Sequence, residues 1–197
     1  MSDEATLAFY LRSAPHYTLS HGQAPSRHLD AFLDRLQPGA RVLELGCGGG
    51  RDAARMAERS FAVDATDGTS AMVRKANERF DLDARVMLFE DLGAQLVYEA
   101  IWAHACLLHV PREQVPDMLA RIFRALRPGG WHYASFKLGN EEGRCLLGRL
   151  HNFPNPEWIV SAYREAGFDI VWTEIWEGSG ADGTVRDWIA ITVRKLG

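Results

Sequence analysis

The stretch Arg41-Val42-Leu43-Glu44-Leu45-Gly46-Cys47-Gly48-Gly49-Gly50-Arg51-Asp52 decides the fold. An apolar run breaks into glycines and an alanine-rich segment follows, the pattern of a buried strand, a tight turn and a helix start. Glycine has no Cβ, so a ligand can lie against the backbone there. The first N–H groups of the helix have no partner within it and point into the same space. An ordinary strand-to-helix connection can also be rich in glycine, and only the surrounding sequence distinguishes the two.

Outward from this turn, strand and helix alternate. Residues 61–66 read as a second strand closed by Asp67-Gly68, and residues 70–80 as a helix with Met72, Val73 and Ala76 inward. Residues 85–89 form a third strand ending in Glu90-Asp91, and residues 100–104 a short fourth one. The spacing of Val115, Leu119, Ile122, Phe123 and Leu126 predicts a helix over 113–126. Pro116 belongs in its first turn, because an interior proline costs about 3 kcal/mol. Arg127-Pro128-Gly129-Gly130 stops that helix before a fifth strand at 131–136. Upstream, Ser26 reads as the cap of a helix carrying Leu29, Phe32, Leu33 and Leu36, ended by Pro38-Gly39. Downstream, residues 138–154 read as irregular or weakly helical. Asn155-Pro156 opens a helix that ends at Gly167. Residues 168–176 and 188–193 are two strands joined by a glycine-bearing loop, with no helix between them, and so antiparallel to each other. The fold expected is α/β: a Rossmann-like, doubly wound, mostly parallel sheet.

At 197 residues with 47% hydrophobic content, the chain suits one domain over 1–197 with a sizeable core. The net charge of -4 and the absence of a basic block argue against nucleic acid as a partner. No apolar run has membrane-spanning length, and the acidic first residues lack a signal-peptide pattern. Cys47, Cys106 and Cys145 are isolated, which argues for a reducing, cytoplasmic setting and against a zinc site.

In an open parallel sheet, ligands bind beyond the carboxyl ends of the strands. Gly46, Gly48 and Gly50 lie at that edge, as do Asp67, Glu90, Asp91, His104, Cys106 and His109. An ionised Asp67 can accept from two ribose hydroxyls, and Glu90 or Asp91 from an exocyclic amine. Each can also be a plain turn or cap residue. A nicotinamide dinucleotide fingerprint needs G-x-G-x-x-G, and here Arg51 stands three residues after Gly48. Arg51 crowds a close pyrophosphate approach, although its charge suits an anion. The oxidoreductase reading therefore recedes.

Residues 42–51 resemble motif I of the class I S-adenosylmethionine-dependent methyltransferases. Asp67-Gly68-Thr69-Ser70-Ala71-Met72 resembles that family's segment after the second strand. Residues 98–110 are similar to its fourth strand and following loop, and Leu126-Arg127-Pro128-Gly129-Gly130 to its signature before the fifth. The resemblance implies a seven-stranded sheet with the last strand antiparallel, S-adenosyl-L-methionine as cofactor, and transfer of its methyl group to a small-molecule acceptor. It further implies that Gly46, Cys47 and Gly48 border the methionine part, with Glu44 at the turn or the amino group and Arg51 nearby. Asp67 holds ribose, Gly68 and Met72 border the adenosine, Asp91 and Leu92 meet adenine with Glu90 as the rival acid, and Ala103 borders the cofactor from the fourth strand. A noncatalytic cofactor-binding protein is the remaining alternative.

The acceptor side is less explicit. His109 is the candidate catalytic base, or else a loop histidine holding local backbone. Tyr10, His16 and Tyr17 belong to an N-terminal lid over 1–25 or simply pack. Residues 138–158 form a substrate-side cap, and Phe136, Arg144, His151, Phe153 and Trp158 are its candidate side chains, with His104 close by. The chain is expected to be a monomer or homodimer.

Overall fold

The computed structural model describes residues 1–20 and 24–197, and side chains throughout those ranges except at 16–20. The strands are β1 (Arg41–Leu45), β2 (Ala62–Asp67), β3 (Arg85–Val86), β4 (Tyr98–Ala103), β5 (Leu126–Lys137), β6 (Gly143–Arg144), β7 (Leu150–His151), β8 (Phe168–Ser179) and β9 (Val185–Lys195). The helices are α1 (Glu4–Ser20), α2 (Leu29–Leu33), α3 (Arg51–Glu58), α4 (Ser70–Phe80), α5 (Val115–Ala125) and α6 (Pro156–Glu165). Seven strands make one sheet in the order β3-β2-β1-β4-β5-β9-β8, and β6 and β7 pair separately. The first five strands of the sheet are parallel. The last strand, β9, lies between β5 and β8 and runs antiparallel to both. This is the doubly wound, seven-stranded architecture expected, reversed last strand included.

Burial on both faces explains why β1 and β4 read as continuous apolar runs rather than alternating ones. One face carries Leu43, Leu45, Ile101, Ala134 and Phe136 against the stripes of α5 and α6. The other carries Val42, Ala100, Trp102 and Tyr133 against Leu29, Phe32 and Leu33 of α2. Trp102 and Tyr133 stack across neighbouring strands with centroids 3.9 Å apart. Around β2 the packing is by small residues, Ala53, Ala65, Ala76 and Ala84, which bring α3 and α4 close to the glycine turn.

Local signals end the elements as chemistry requires. Pro116 sits in the first turn of α5. The Asn155 side chain accepts from the Trp158 N–H at 2.8 Å, and Gly167 takes φ +94° after α6. Three expectations are corrected. The third strand stops at Val86, because the Asp91 carboxylate accepts the Leu88 N–H and folds residues 89–91 into a 3₁₀ turn. Ser26 makes no cap bond to α2; its N–H donates to Asp52 and its hydroxyl accepts from Arg51, which ties this segment to α3. Residues 143–151 are a hairpin rather than weakly helical, since Gly148 at φ +79° supplies the turn. Among the described residues no helix is long and apolar enough to cross a membrane.

Candidate active site

The glycine turn after β1 is held open by its neighbours. Gly46 has φ +70°, and a Cβ there would stand 2.5 Å from the Cβ of Cys106, so only glycine lets the turns after β1 and β4 touch. Gly48 has φ +54°, and a Cβ there would meet nothing within 4 Å. Its Cα faces open cavity. The Gly48 N–H donates to Asp67 Oδ2 at 3.0 Å, while Asp67 Oδ1 accepts from the Thr69 N–H and hydroxyl at 2.9 and 3.0 Å. One carboxylate thus locks the first turn to the end of β2. Burial raises the Asp67 pKa, and these three donors work against that shift.

Glu44 lies beneath the turn and is 3% exposed. The Ala53 N–H donates to its carboxylate, but Oε2 has no hydrogen-bond partner among the described residues. Burial, and then the Asp52 charge, raise its pKa well above the usual carboxylate range. Asp52 accepts from the Ser26 N–H at 2.8 Å and the Trp102 indole at 3.0 Å, which fixes α3 against β4. Asp52 escaped the sequence reading because its position, second in a helix, is ordinary for an aspartate.

These groups border a cavity of about 830 Å³. Of the residues expected at the cofactor, Glu44, Gly46, Cys47, Gly48, Arg51, Asp67, Gly68 and Met72 line it. Met87, Leu88 and Phe89 line its far side. Glu90 and Asp91 do not. Glu90 accepts from the Ser2 hydroxyl, and Asp91 closes its own 3₁₀ turn. Leu92 and Ala103 are buried in the core.

At the opposite end the cavity is walled by side chains. His109 donates from Nδ1 to the Leu150 carbonyl at 2.6 Å, because a carbonyl can only accept. Its Nε2 therefore accepts from the Tyr10 hydroxyl at 2.9 Å. The Tyr10 oxygen in turn accepts from Arg149 Nη1 at 2.9 Å. Burial pushes the His109 pKa down to about 3 and that of His104 to about 4, so both imidazoles are neutral at physiological pH. His104 packs over Tyr133 and shares a hydrogen bond with Ser135 at 3.2 Å. His151 and Lys137 also line this end. Lys137 is paired with Asp182 at 3.5 Å from the loop between β8 and β9, and Gly180 of that loop lies against its ammonium.

Phe136 and Arg144 do not line this wall. Phe136 points into the core, and Lys137, one residue on, faces the opposite way into the cavity. That alternation was the available signal for Lys137. Arg144 forms a two-bond pair with Asp3, fastening the β6–β7 hairpin to the start of α1. Arg149 carried no signal in sequence, and the loop glycines read only as the connection between the last two strands. Tyr17 and His16 lie where side chains are outside the described residues.

Residues 42–130 match the family model described as a methyltransferase domain. The trans-aconitate 2-methyltransferase of Deinococcus radiodurans is 34% identical over 112 residues, covering 54% of this chain and 41% of that protein. The chain spans about half the length of the curated relatives it matches. Among solved structures, the 1,6-didemethyltoxoflavin-N1-methyltransferase of Burkholderia thailandensis, bound to its substrate and S-adenosylhomocysteine, superposes with a TM-score of 0.76 at 21% identity, covering 98% of this chain and 88% of that one. The [4+2]-cyclase SpnF superposes with a TM-score of 0.76 at 18% identity, covering 100% and 97%. At these identities the structural likenesses establish the fold. By the domain match over residues 42–130, the strand order and the glycine turn together, the chain is similar to S-adenosylmethionine-dependent methyltransferases and shares their fold.

Proposed function

We propose that the chain binds S-adenosyl-L-methionine between the β1 turn and Met87–Phe89 and transfers its methyl group in line to a small molecule at the Tyr10–Arg149 end. The observation that carries this reading is the unpartnered Glu44 Oε2 beside the open Gly48 position. A buried carboxylate oxygen without a donor fits an ammonium group, and a glycine whose Cβ position is empty fits a ligand lying on the backbone. The cofactor, when bound, supplies a methyl group already activated by its sulfonium.

The protein's own contribution is then orientation and exclusion of water, and orientation alone is worth roughly 7–11 kcal/mol. Asp67 keeps the turn in shape and offers its remaining lone pairs to ribose hydroxyls. Gly68 and Met72 border the nucleoside. Tyr10 borders the acceptor as the residue in direct contact. His109 is a positioning residue: its low pKa makes it a poor base at neutral pH, and its two nitrogens hold Tyr10 and the Leu150 carbonyl. Among the described residues, Tyr10, Lys137, Arg149 and His151 supply the acceptor wall.

Calorimetry with S-adenosylmethionine and S-adenosylhomocysteine tests the first half. Binding is expected, and it weakens in Glu44→Gln; no binding overturns the reading. A radiolabelled methyl-transfer screen against phenols, thiols, amines, carboxylates and metalloid oxyanions tests the second. Tight binding with no methylated product from any acceptor favours a different chemistry on the same fold, as the likeness to a cyclase illustrates.

A further inference from the structure

Arg149 is 2% exposed; its Nη1 donates to the Tyr10 hydroxyl, and the Cys145 thiol also lies against the guanidinium. Arg149 Nε and Nη2 have no hydrogen-bond partner among the described residues. The rings of Phe9 and Tyr10 stand 4.9 and 5.6 Å from the guanidinium carbon and supply some compensation. Among the described residues no carboxylate lies within ion-pair distance of it. The two acids on this side of the cavity are committed elsewhere, Asp182 to Lys137 and Asp3 to Arg144. A buried guanidinium without a counter-ion is costly, and the cost persists unless an anion arrives.

The geometry of the vacant donors narrows the anion. Nε–H and Nη2–H are the two parallel donors along one edge of the guanidinium, spaced to meet both oxygens of a carboxylate. His151 stands nearby, 1% exposed, with neither ring nitrogen partnered. Its ring stacks on Phe153 and meets His109 edge-on at 4.7 Å. A neutral His151 carries one N–H, a third donor for the same ligand. The Lys137 charge is already balanced by Asp182, so among the described residues of this wall Arg149 is the one uncompensated cation, which matches a monoanion better than a doubly charged phosphoryl group.

We propose that this end of the cavity is a carboxylate subsite, and that the methyl acceptor carries a carboxylate seated on the Nε/Nη2 edge of Arg149 with His151 as an additional donor. The proposal rests on the methyltransferase reading of the cavity and names the acceptor class for it. A neutral acceptor would leave the guanidinium edge unpaired, so acid and amide forms of one molecule are discriminated here.

Calorimetric titration of the protein with phenylacetate and butyrate, and with phenylacetamide and butyramide, tests this, with and without saturating S-adenosylhomocysteine. The acids are expected to bind at least about tenfold more tightly than their amides. Arg149→Lys keeps the charge but loses the fork, and should weaken the acids about tenfold while S-adenosylhomocysteine affinity stays unchanged. His151→Gln, which leaves Arg149 in place, should weaken them by a few-fold and serves if the Arg149 variant does not fold. Equal affinity for acids and amides, tighter binding of benzylphosphonate than of phenylacetate, or acid affinity unmoved by the variants overturns the subsite. Absence of S-adenosylhomocysteine binding falls instead on the methyltransferase reading, and the acid-against-amide contrast measured without it still decides the subsite.

Discussion

At the end of the cavity proposed for the methyl donor, Glu44, Gly46, Gly48, Asp67 and Met72 come from one strand–turn–helix–strand–helix run, and backbone groups do most of the holding. At the end proposed for the acceptor, Tyr10, Lys137, Arg149 and the glycine loop come from four separate segments, and side chains hold one another. A backbone-built site demands glycines, a fixed acid and fixed spacing, so it tolerates little change. A side-chain wall demands only that several distant residues converge. The first arrangement suits a ligand common to a whole family, and the second suits a ligand that differs from one member to the next.

Substitutions in the turn break this contrast most strongly. Gly46→Ala should cost about 3 kcal/mol from left-handed strain and the clash with Cys106, read as a lower denaturation midpoint. Gly48→Ala, with similar φ but open space, should cost only about 1 kcal/mol yet still impair S-adenosylhomocysteine binding. If the two lose equal stability, the close approach of the β1 and β4 turns is not what selects Gly46.

Asp67→Ala removes the acceptor for Gly48 and Thr69 and should weaken donor binding about a hundredfold, given 1.5–3 kcal/mol for a charge-assisted bond. Tyr10→Phe should leave donor affinity unchanged and lower turnover by about tenfold through lost orientation. A Tyr10→Phe protein that binds S-adenosylhomocysteine poorly would mean the two ends are not separable.

Acidification should then open one end before the other. The unfolded chain protonates its histidines near pH 6.5, whereas folded His109 stays neutral down to about 3. Between those values the unfolded state binds the extra proton, so stability falls as pH drops, by on the order of 1.4 kcal/mol per pH unit for such a group. Asp67 has the opposite sign: its raised pKa means that its contribution declines as pH rises above 3.8. Amide exchange at pH 5 against pH 7 should show residues 107–110 and 149–152 losing protection ahead of residues 46–50. The smallest effect is expected from Arg144→Ala. Its exposed pair with Asp3 fastens α1, so the acceptor KM should rise by roughly threefold, with donor affinity untouched.

Much of the fold, and the glycine-turn end of the cavity, was legible, because the signals were local. Periodicity placed α4 and α5, the Asn155 cap and Gly167 marked the limits of α6, and the missing helix between the final strands gave their antiparallel pairing. The donor turn was readable because glycine at fixed offsets has few physical explanations. The acceptor end was not. Arg149 sits in a two-stranded hairpin whose residues show no period, and its importance comes from what it lacks, a counter-ion, which no sequence displays. Phe136 drew attention as an aromatic at the strand end, whereas strand alternation gives the cavity face to Lys137.

The hydrogen bond from the Leu150 N–H to the Thr6 hydroxyl joins residues 144 positions apart. Closing so long a loop costs entropy before any contact rewards it. The donor half, built from neighbours in sequence, can form while the ribosome is still making the rest. Helix α1, the first element made, has its partners Arg144, Arg149 and Leu150 only when the chain is three-quarters complete. Until then α1 has only its packing of Tyr10 and Ala14 on Ala71 and Met72 of α4, so the acceptor wall assembles late and is a segment exposed to a chaperone or a protease during synthesis.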